Sequence, residues 1–419
     1  MAQKREDRET RRSNRMVNDQ RQMGQPMNGQ QPYYQQQTGQ PGNGQQQYYQ
    51  QPMNGGQPYY QQPYHQAPVK KKKKKTARKV ILFVIEVIFL AVLAVVLYVA
   101  AQLSKVEKVD IEEQKIEQQV QEQLPEQVVQ KLKGYWNIAL YGVDSREGST
   151  TSALSDAIMV ASINKDTKEV KLVSVYRDTY LDNTNGDYRK ATECYLMGGP
   201  ERSINMLNKN LDLDITNFLT VNMDVLAEVV DSIGGVEIDV REDEITHLNN
   251  YQVEGSEITG KEIIPVYDTG LQTLNGLQAL SYCRIRYTVP IDDEHPGLDY
   301  ERAQRQRVVL EQILGKVQKM DIVSLTNLVQ DLLPYVSTNL TQTEILSLAK
   351  DIASYKLVGT TGFPFEKEAV QLQGDIVVPV NLAANVSQLH DYLFGSQGYE
   401  PTATVQEISN TIANNTGVY

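Results

Sequence analysis

The sequence predicts a mixed α/β domain held outside the cell by a single transmembrane helix, behind a disordered N-terminal tail. Three observations carry this. An apolar run of 22 residues, Val80–Ala101, follows directly on the basic block Lys70–Lys79. The residues before that block contain almost no aliphatic side chains. Beyond Tyr135, short apolar runs of strand type alternate with stretches of helical periodicity.

Residues 1–79 are a Gln, Tyr and Pro-rich segment that cannot bury a core. The segment Pro26–Gln36 recurs almost unchanged as Pro52–Gln62, but neither copy has an apolar face to stack as a repeat. The tail reads as a solubilising leader or as a tyrosine-rich docking segment. Residues 80–101, at 1.5 Å per residue, extend roughly 33 Å as a helix, enough to cross a bilayer. The basic flank puts the N-terminus in the cytoplasm and the rest outside the membrane. Residues 102–133 carry Ile116, Val120, Leu124, Val128 and Leu132 at a spacing of four, interrupted by Pro125. This reads as a solvated spacer helix, a stalk.

Charge divides the chain in the same way. Through residue 79 there are 15 basic against 4 acidic side chains, and after it 26 against 48. An acidic folded part excludes an ordinary nucleic-acid binder. Two cysteines and four histidines exclude a disulfide scaffold and a four-cysteine or His-rich metal centre. Cys194 and Cys283 are open to either a bridge or two buried thiols. Ser145 and Ser155 have no histidine near them in sequence, which argues against a serine hydrolase.

Residues 134–395 form one domain, and 396–419 are a tail too short for another. Strands are expected at Asn137–Val143, Ala157–Ile163, Val170–Val175, Phe218–Val221, Val236–Val240 and Tyr282–Tyr287. Helices are expected at Glu201–Asn210, Val225–Ile233, Leu298–Met320, Ile322–Leu333 and Thr341–Tyr355. The last opens with a capping box, Thr341 to Glu344. Gly234-Gly235 ends one helix and turns the chain into Val236. The acidic loop Ile291–Asp299 reads as a solvated lid.

The second and third strands, joined by the short turn Asn164–Glu169, form a hairpin. Its geometry brings Asp156, before the second strand, beside Arg177, after the third. Asp144 follows the first strand and belongs near the same rim. Arg284 and Arg286, two apart in the expected strand, share a face. Arg302 and Gln306, four apart in a helix, share another, with Arg305 beside them. Five of the ten arginines after residue 104 fall between Arg284 and Arg307. Guanidinium groups concentrated in an acidic domain suit a pyrophosphate, which they grip bidentately. Two aspartates alongside suit Mg²⁺ bridging the same phosphates. The plainer reading of each Arg-x-Arg is a salt-bridged surface pair, and of each aspartate a turn former.

Seven ordered motifs then decide between these readings. They are LYGVDSREG (Leu140–Gly148), LSDAIMVASIN (Leu154–Asn164), VSVYRDTY (Val173–Tyr180), KATECYLMGG (Lys190–Gly199), VDSIGGVEIDV (Val230–Val240), LNGLQALSYCRIRY (Leu274–Tyr287) and DYERAQRQ (Asp299–Gln306). In order and spacing they resemble the LytR-CpsA-Psr family, from Asn137 to about Gln318. The resemblance implies an α/β/α sandwich with a mixed central sheet and a tunnel for a polyprenyl chain. It implies a membrane-anchored phosphotransferase that moves a glycopolymer from an undecaprenyl-pyrophosphate carrier onto peptidoglycan in a Gram-positive envelope. The polymer would be a teichoic acid or a capsular polysaccharide. By resemblance, Asp144 and Asp156 fall on magnesium-associated positions and Arg177, Lys190, Arg284, Arg286, Arg302 and Gln306 on pyrophosphate contacts. The catalytic set is then Asp144, Asp156, Arg177, Arg284 and Arg286. The family usually has Arg where this chain has Leu154, and Pro where it has Tyr176. The expected partners are the lipid-linked polymer, the peptidoglycan acceptor and the membrane, with no nucleic acid. A hydrolase on the same site and a non-enzymatic envelope-binding or transcription-attenuator protein are the alternative readings.

Overall fold

The computed structural model describes residues 106–143, 153–222, 225–286, 299–372 and 374–419. The tail 1–79, the apolar run 80–101, Asp144 and the acidic loop before Asp299 lie outside the described residues. Among those described, no helix is long and apolar enough to cross a membrane.

The described chain starts with an edge strand β1 (Glu107–Lys108) and two helices, α1 (Glu113–Gln123) and α2 (Glu126–Leu132). Pro125 caps the second helix in an extended conformation, which breaks the helical stripe where the sequence places the interruption. Ile116, Val120, Leu124 and Leu132 are buried in the principal core, so this segment is packed on the domain and is not a solvated spacer. Each fully buried aliphatic side chain contributes roughly 1.5–3 kcal/mol, so docking outweighs leaving the stripe in water.

The first three strands of the domain are β2 (Tyr135–Val143), β3 (Ser155–Asn164) and β4 (Glu169–Val175). A small hairpin, β5 (Tyr180–Asp182) with β6 (Tyr188–Lys190), leads into the long helix α3 (Ala191–Leu211). That helix is interrupted at Gly198-Gly199, and its first part precedes the expected start at Glu201. Then come β7 (Asn217–Asn222), α4 (Val225–Ser232), β8 (Val236–Val240), α5 (Glu242–Thr259) and β9 (Gly270–Leu274). Gly234 and Gly235 both have positive φ, and a Cβ on Gly235 would meet Thr273 Cγ2 at 2.6 Å, so only glycine makes this turn. Helix α6 (Gly276–Arg284) follows, then α7 (Asp299–Val317), α8 (Ile322–Leu332), β10 (Val336–Thr338) and α9 (Gln342–Asp351). The capping box is formed as expected, with Thr341 N donating to Glu344 Oε2 at 2.8 Å and Glu344 N to Thr341 Oγ1 at 3.3 Å. The chain closes with β11 (Lys356–Phe363), the hairpin β12 (Lys367–Gln371) and β13 (Asp375–Pro379), α10 (Leu382–Phe394) and α11 (Ala403–Thr416).

Among the described residues, seven strands build one mixed sheet in the order β1-β10-β7-β2-β3-β4-β11. The alternation along β2 shows its two faces. Ala139, Tyr141 and Val143 enter the principal core with α3, α10 and α11, whereas Ile138 and Leu140 pack with α7 and α9 side chains such as Leu310 and Leu348. Helices therefore cover the mixed sheet on both faces. A second core gathers α4 to α7 with the β8–β9 hairpin.

Two expectations change here. Residues 396–419 are not a loose tail: Val405, Ile408, Ile412 and Val418 are buried in the principal core. The buried carboxylate of Asp212 fastens this end, accepting from Tyr399 Oη at 3.0 Å, Thr402 N at 2.8 Å and Gln123 Nε2 at 2.8 Å. The expected strand Tyr282–Tyr287 is instead the end of α6 followed by extended Ile285. A capping box between Asn275 and Gln278 starts the helix, each backbone N–H donating to the other side chain at 2.9 Å. The two cysteines are free and lie in different cores, and burial pushes each thiol up to about 12.

Candidate active site

The β3–β4 hairpin sets the centre of the site. Ile158 pairs with Val175. Asp156 and Arg177 each lie two residues beyond that pair, at the same end. The Arg177 guanidinium forms an ion pair through Nη1 with Asp156 Oδ1. Asp178 Oδ2 lies 3.5 Å from Arg177 Nε, and Asp178 Oδ1 3.0 Å from Lys190 Nζ. From α7, Arg302 Nη2 donates to the backbone carbonyl of Asp156 at 3.2 Å. These four charged side chains retain only about a fifth of their exposure, and Arg302 is buried.

The loop presenting Arg177 is pinned through its backbone. Thr179 N donates to Tyr176 O at 2.9 Å, closing a turn with Arg177 and Asp178 at its tip. Arg177 O accepts from Thr192 N at the start of α3, and Asp178 O from Val377 N in β13, both at 2.9 Å. The tip is thus fixed independently of its side chains. Lys190 arrives from the other direction, as the last residue of β6 and the N-cap of α3.

The remaining expected residues separate into groups. Gln306 lies one turn beyond Arg302 on α7 and is buried, as their shared face predicts. Arg284 ends α6, and its guanidinium contacts Glu254 at 3.0 Å and the Tyr251 ring at 5.9 Å instead of the Asp156 carboxylate. It also does not share a strand face with Arg286, because a helix end separates them. Arg305 Nη1 donates to Ile285 O at 3.2 Å, which ties the backbone between Arg284 and Arg286 to α7. Arg305 itself is structural: its guanidinium donates to Glu244 Oε1 and to Glu301 Oε2, both at 2.8 Å, with all three groups buried. Arg307 is also buried, and burial pulls its pKa below the usual guanidinium value. Asp178 was not singled out from sequence. The signal was present, since it follows Arg177 directly in the same motif.

Val143, the residue before Asp144, pairs with Ser155, the residue before Asp156. That register sets the end of β2 beside the start of β3; Asp144 itself lies outside the described residues. Among the described residues, no group of three or more His, Cys, Asp or Glu is placed to hold a metal alone.

The sequence pattern of the LytR_cpsA_psr family matches residues 94–389. The chain belongs to that family. It is 32% identical over 209 residues to the polyisoprenyl-teichoic acid–peptidoglycan teichoic acid transferase TagU of Enterococcus faecalis, covering 49% of this chain and 60% of that protein. It is 26% identical to the transferase TagT of Bacillus subtilis, covering 72% of this chain and 90% of that one. Protein gbs0355 from Streptococcus agalactiae has the same fold, with a TM-score of 0.53 at 23% identity, covering 67% of this chain and 93% of that one. Leu154, where the resemblance leads one to expect Arg, is 41% exposed just before β3. Tyr176 is buried and meets Tyr300 of α7 edge-to-face at 4.7 Å, so it contributes a ring contact that proline would not.

Proposed function

We propose that this LytR_cpsA_psr protein is a membrane-anchored phosphotransferase acting on an undecaprenyl-pyrophosphate-linked glycopolymer, with peptidoglycan as acceptor. The observation that carries the reading is the rim where Asp156, Arg177, Asp178, Lys190 and Arg302 converge, in a family whose named relatives include teichoic acid transferases. Arg177, Lys190 and Arg302, joined by Arg284, Arg286 and Gln306, would bind the pyrophosphate and orient the phosphorus that carries the polymer. Phosphate oxygens would take over the guanidinium and ammonium contacts that Asp156 and Asp178 now supply.

A sugar hydroxyl of the acceptor attacks that phosphorus in line. The new oxygen–phosphorus bond forms as the bond to the bridging oxygen breaks, and undecaprenyl phosphate leaves. The arginines hold the charge that develops on the leaving phosphate. Mg²⁺ bound by Asp144 and Asp156 would supply further charge neutralisation there. A carboxylate not engaged with metal is the candidate acceptor for the hydroxyl proton.

Two measurements test this. Because two carboxylates make a weak magnesium site alone, calorimetry of the purified chain should show Mg²⁺ binding only when a polyprenyl pyrophosphate is present. With both present, labelled polymer should appear on a peptidoglycan oligomer; release to water alone would instead identify a hydrolase. Topology is checked separately. Protease added outside intact cells should spare an N-terminal epitope and digest a C-terminal one, and the reverse pattern would refute the anchoring.

A further inference from the structure

We propose that Lys367 is a positioning residue for the phosphate-binding arginines, acting through the Tyr176–Tyr300 ring pair; this rests on the transferase reading above. Lys367 lies in β12, outside every motif that carries the family resemblance. Its Nζ sits 4.7 Å from the centroid of the Tyr300 ring and 5.5 Å from that of Tyr176. The two rings pack edge-to-face at 4.7 Å, and each is close in sequence to one of the arginines. Tyr176 opens the turn that presents Arg177, and Tyr300 lies two residues before Arg302 on α7. One ammonium over both faces therefore joins the two elements that carry the arginines.

Further contacts show that this is a built arrangement. In the β12–β13 hairpin Lys367 pairs with Pro379 and Ala369 with Val377. Val377 N holds Asp178 O at 2.9 Å and bridges to Thr179. The hairpin thus grips the Arg177 turn by its backbone through one strand and by its aromatic ring through the other. Beneath the ring, Gly362 of β11 leaves the space that Tyr176 occupies: a Cβ there would meet Tyr176 Oη at 2.1 Å. The chain thus supplies both a seat for the Tyr176 ring and a cation over it.

The test uses the full chain in detergent with Mg²⁺ and geranylgeranyl pyrophosphate as probe, measuring affinity by calorimetry and thermal unfolding in parallel. Lys367→Met keeps the length and removes the charge, and should weaken binding roughly tenfold. Lys367→Arg should recover affinity to within about threefold, since a guanidinium also stacks on tyrosine. Gly362→Ala, which leaves Lys367 untouched and displaces Tyr176, should weaken binding comparably. Both Lys367 variants should unfold within a few degrees of wild type, whereas Gly362→Ala also carries an overpacking cost. Wild-type affinity in Lys367→Met, no recovery in Lys367→Arg, or a fall in unfolding temperature of the Lys367 variants that tracks the affinity loss would each overturn the inference. If the wild-type chain does not bind the probe at all, the transferase reading fails and takes this inference with it. If wild type and Lys367→Met bind equally well, only the inference fails.

Discussion

Arg177→Ala is expected to slow polymer transfer by roughly ten- to a hundredfold and to leave the fold standing. A hydrogen bond from a charged donor is worth about 1.5–3 kcal/mol, and each 1.4 kcal/mol is a factor of ten in rate. The turn survives because its contacts are made by the backbone: Thr179 N to Tyr176 O, Thr192 N to Arg177 O and Val377 N to Asp178 O. Losing the guanidinium also leaves Asp156 partly exposed and able to take water. Arg177→Lys keeps the charge but gives up the planar fork, so it should fall well short of wild type. Transfer to a peptidoglycan oligomer and the unfolding temperature are measured on the same preparations. Unchanged transfer with a clear loss of stability would make Arg177 a structural partner of Asp156 and nothing more.

Arg305→Ala should behave in the opposite way. Its guanidinium is buried between Glu244 and Glu301, with a third bond to Ile285 O. Removing it takes the nearer cation from two buried carboxylates and leaves them only Arg241, at 3.7 Å and 3.9 Å, and breaking such a network costs about 3–5 kcal/mol. Denaturant unfolding should show that loss directly. Whatever protein remains folded below the transition should still bind polyprenyl pyrophosphate, because Arg305 points to carboxylates and not to the Asp156 rim. A stability loss under about 1 kcal/mol would place the pair in the solvent-screened class.

These two arginines show where sequence reasoning reached its limit. Both sit in motifs, and both belong to the cationic excess read from the chain. Arg177 was placed beside Asp156 by the logic of a hairpin alone, since a short turn and an alternating pattern dictate which strand ends meet. Arg305 looks like its neighbours in sequence: Glu301, four residues earlier, is a legible partner, but Glu244 comes from α5, whose pattern is too weakly apolar to predict. Apolar spacing over Tyr282–Tyr287 resembles a strand and so predicts one at Arg284, but the capping box at Asn275 outweighs it. Asp178 was passed over because an aspartate after a strand is ordinarily a turn former, and only its contacts with Arg177 and Lys190 show otherwise.

The sequence by itself determined the mixed α/β class, the three strands around the hairpin, the convergence of Asp156 with Arg177, and the family. Those follow from local periodicity, short connections and ordered motifs, which act over a few residues. Tertiary structure alone decided that the helices at 113–132 and 403–416 are parts of the core. It decided which arginine serves a carboxylate and which is presented at the rim. It also placed Lys367 over Tyr176 and Tyr300. The reason is physical: burial and ion pairing depend on which surfaces meet across long stretches of chain, and a packed core can claim an amphipathic helix or a charged side chain that looks solvated when read alone.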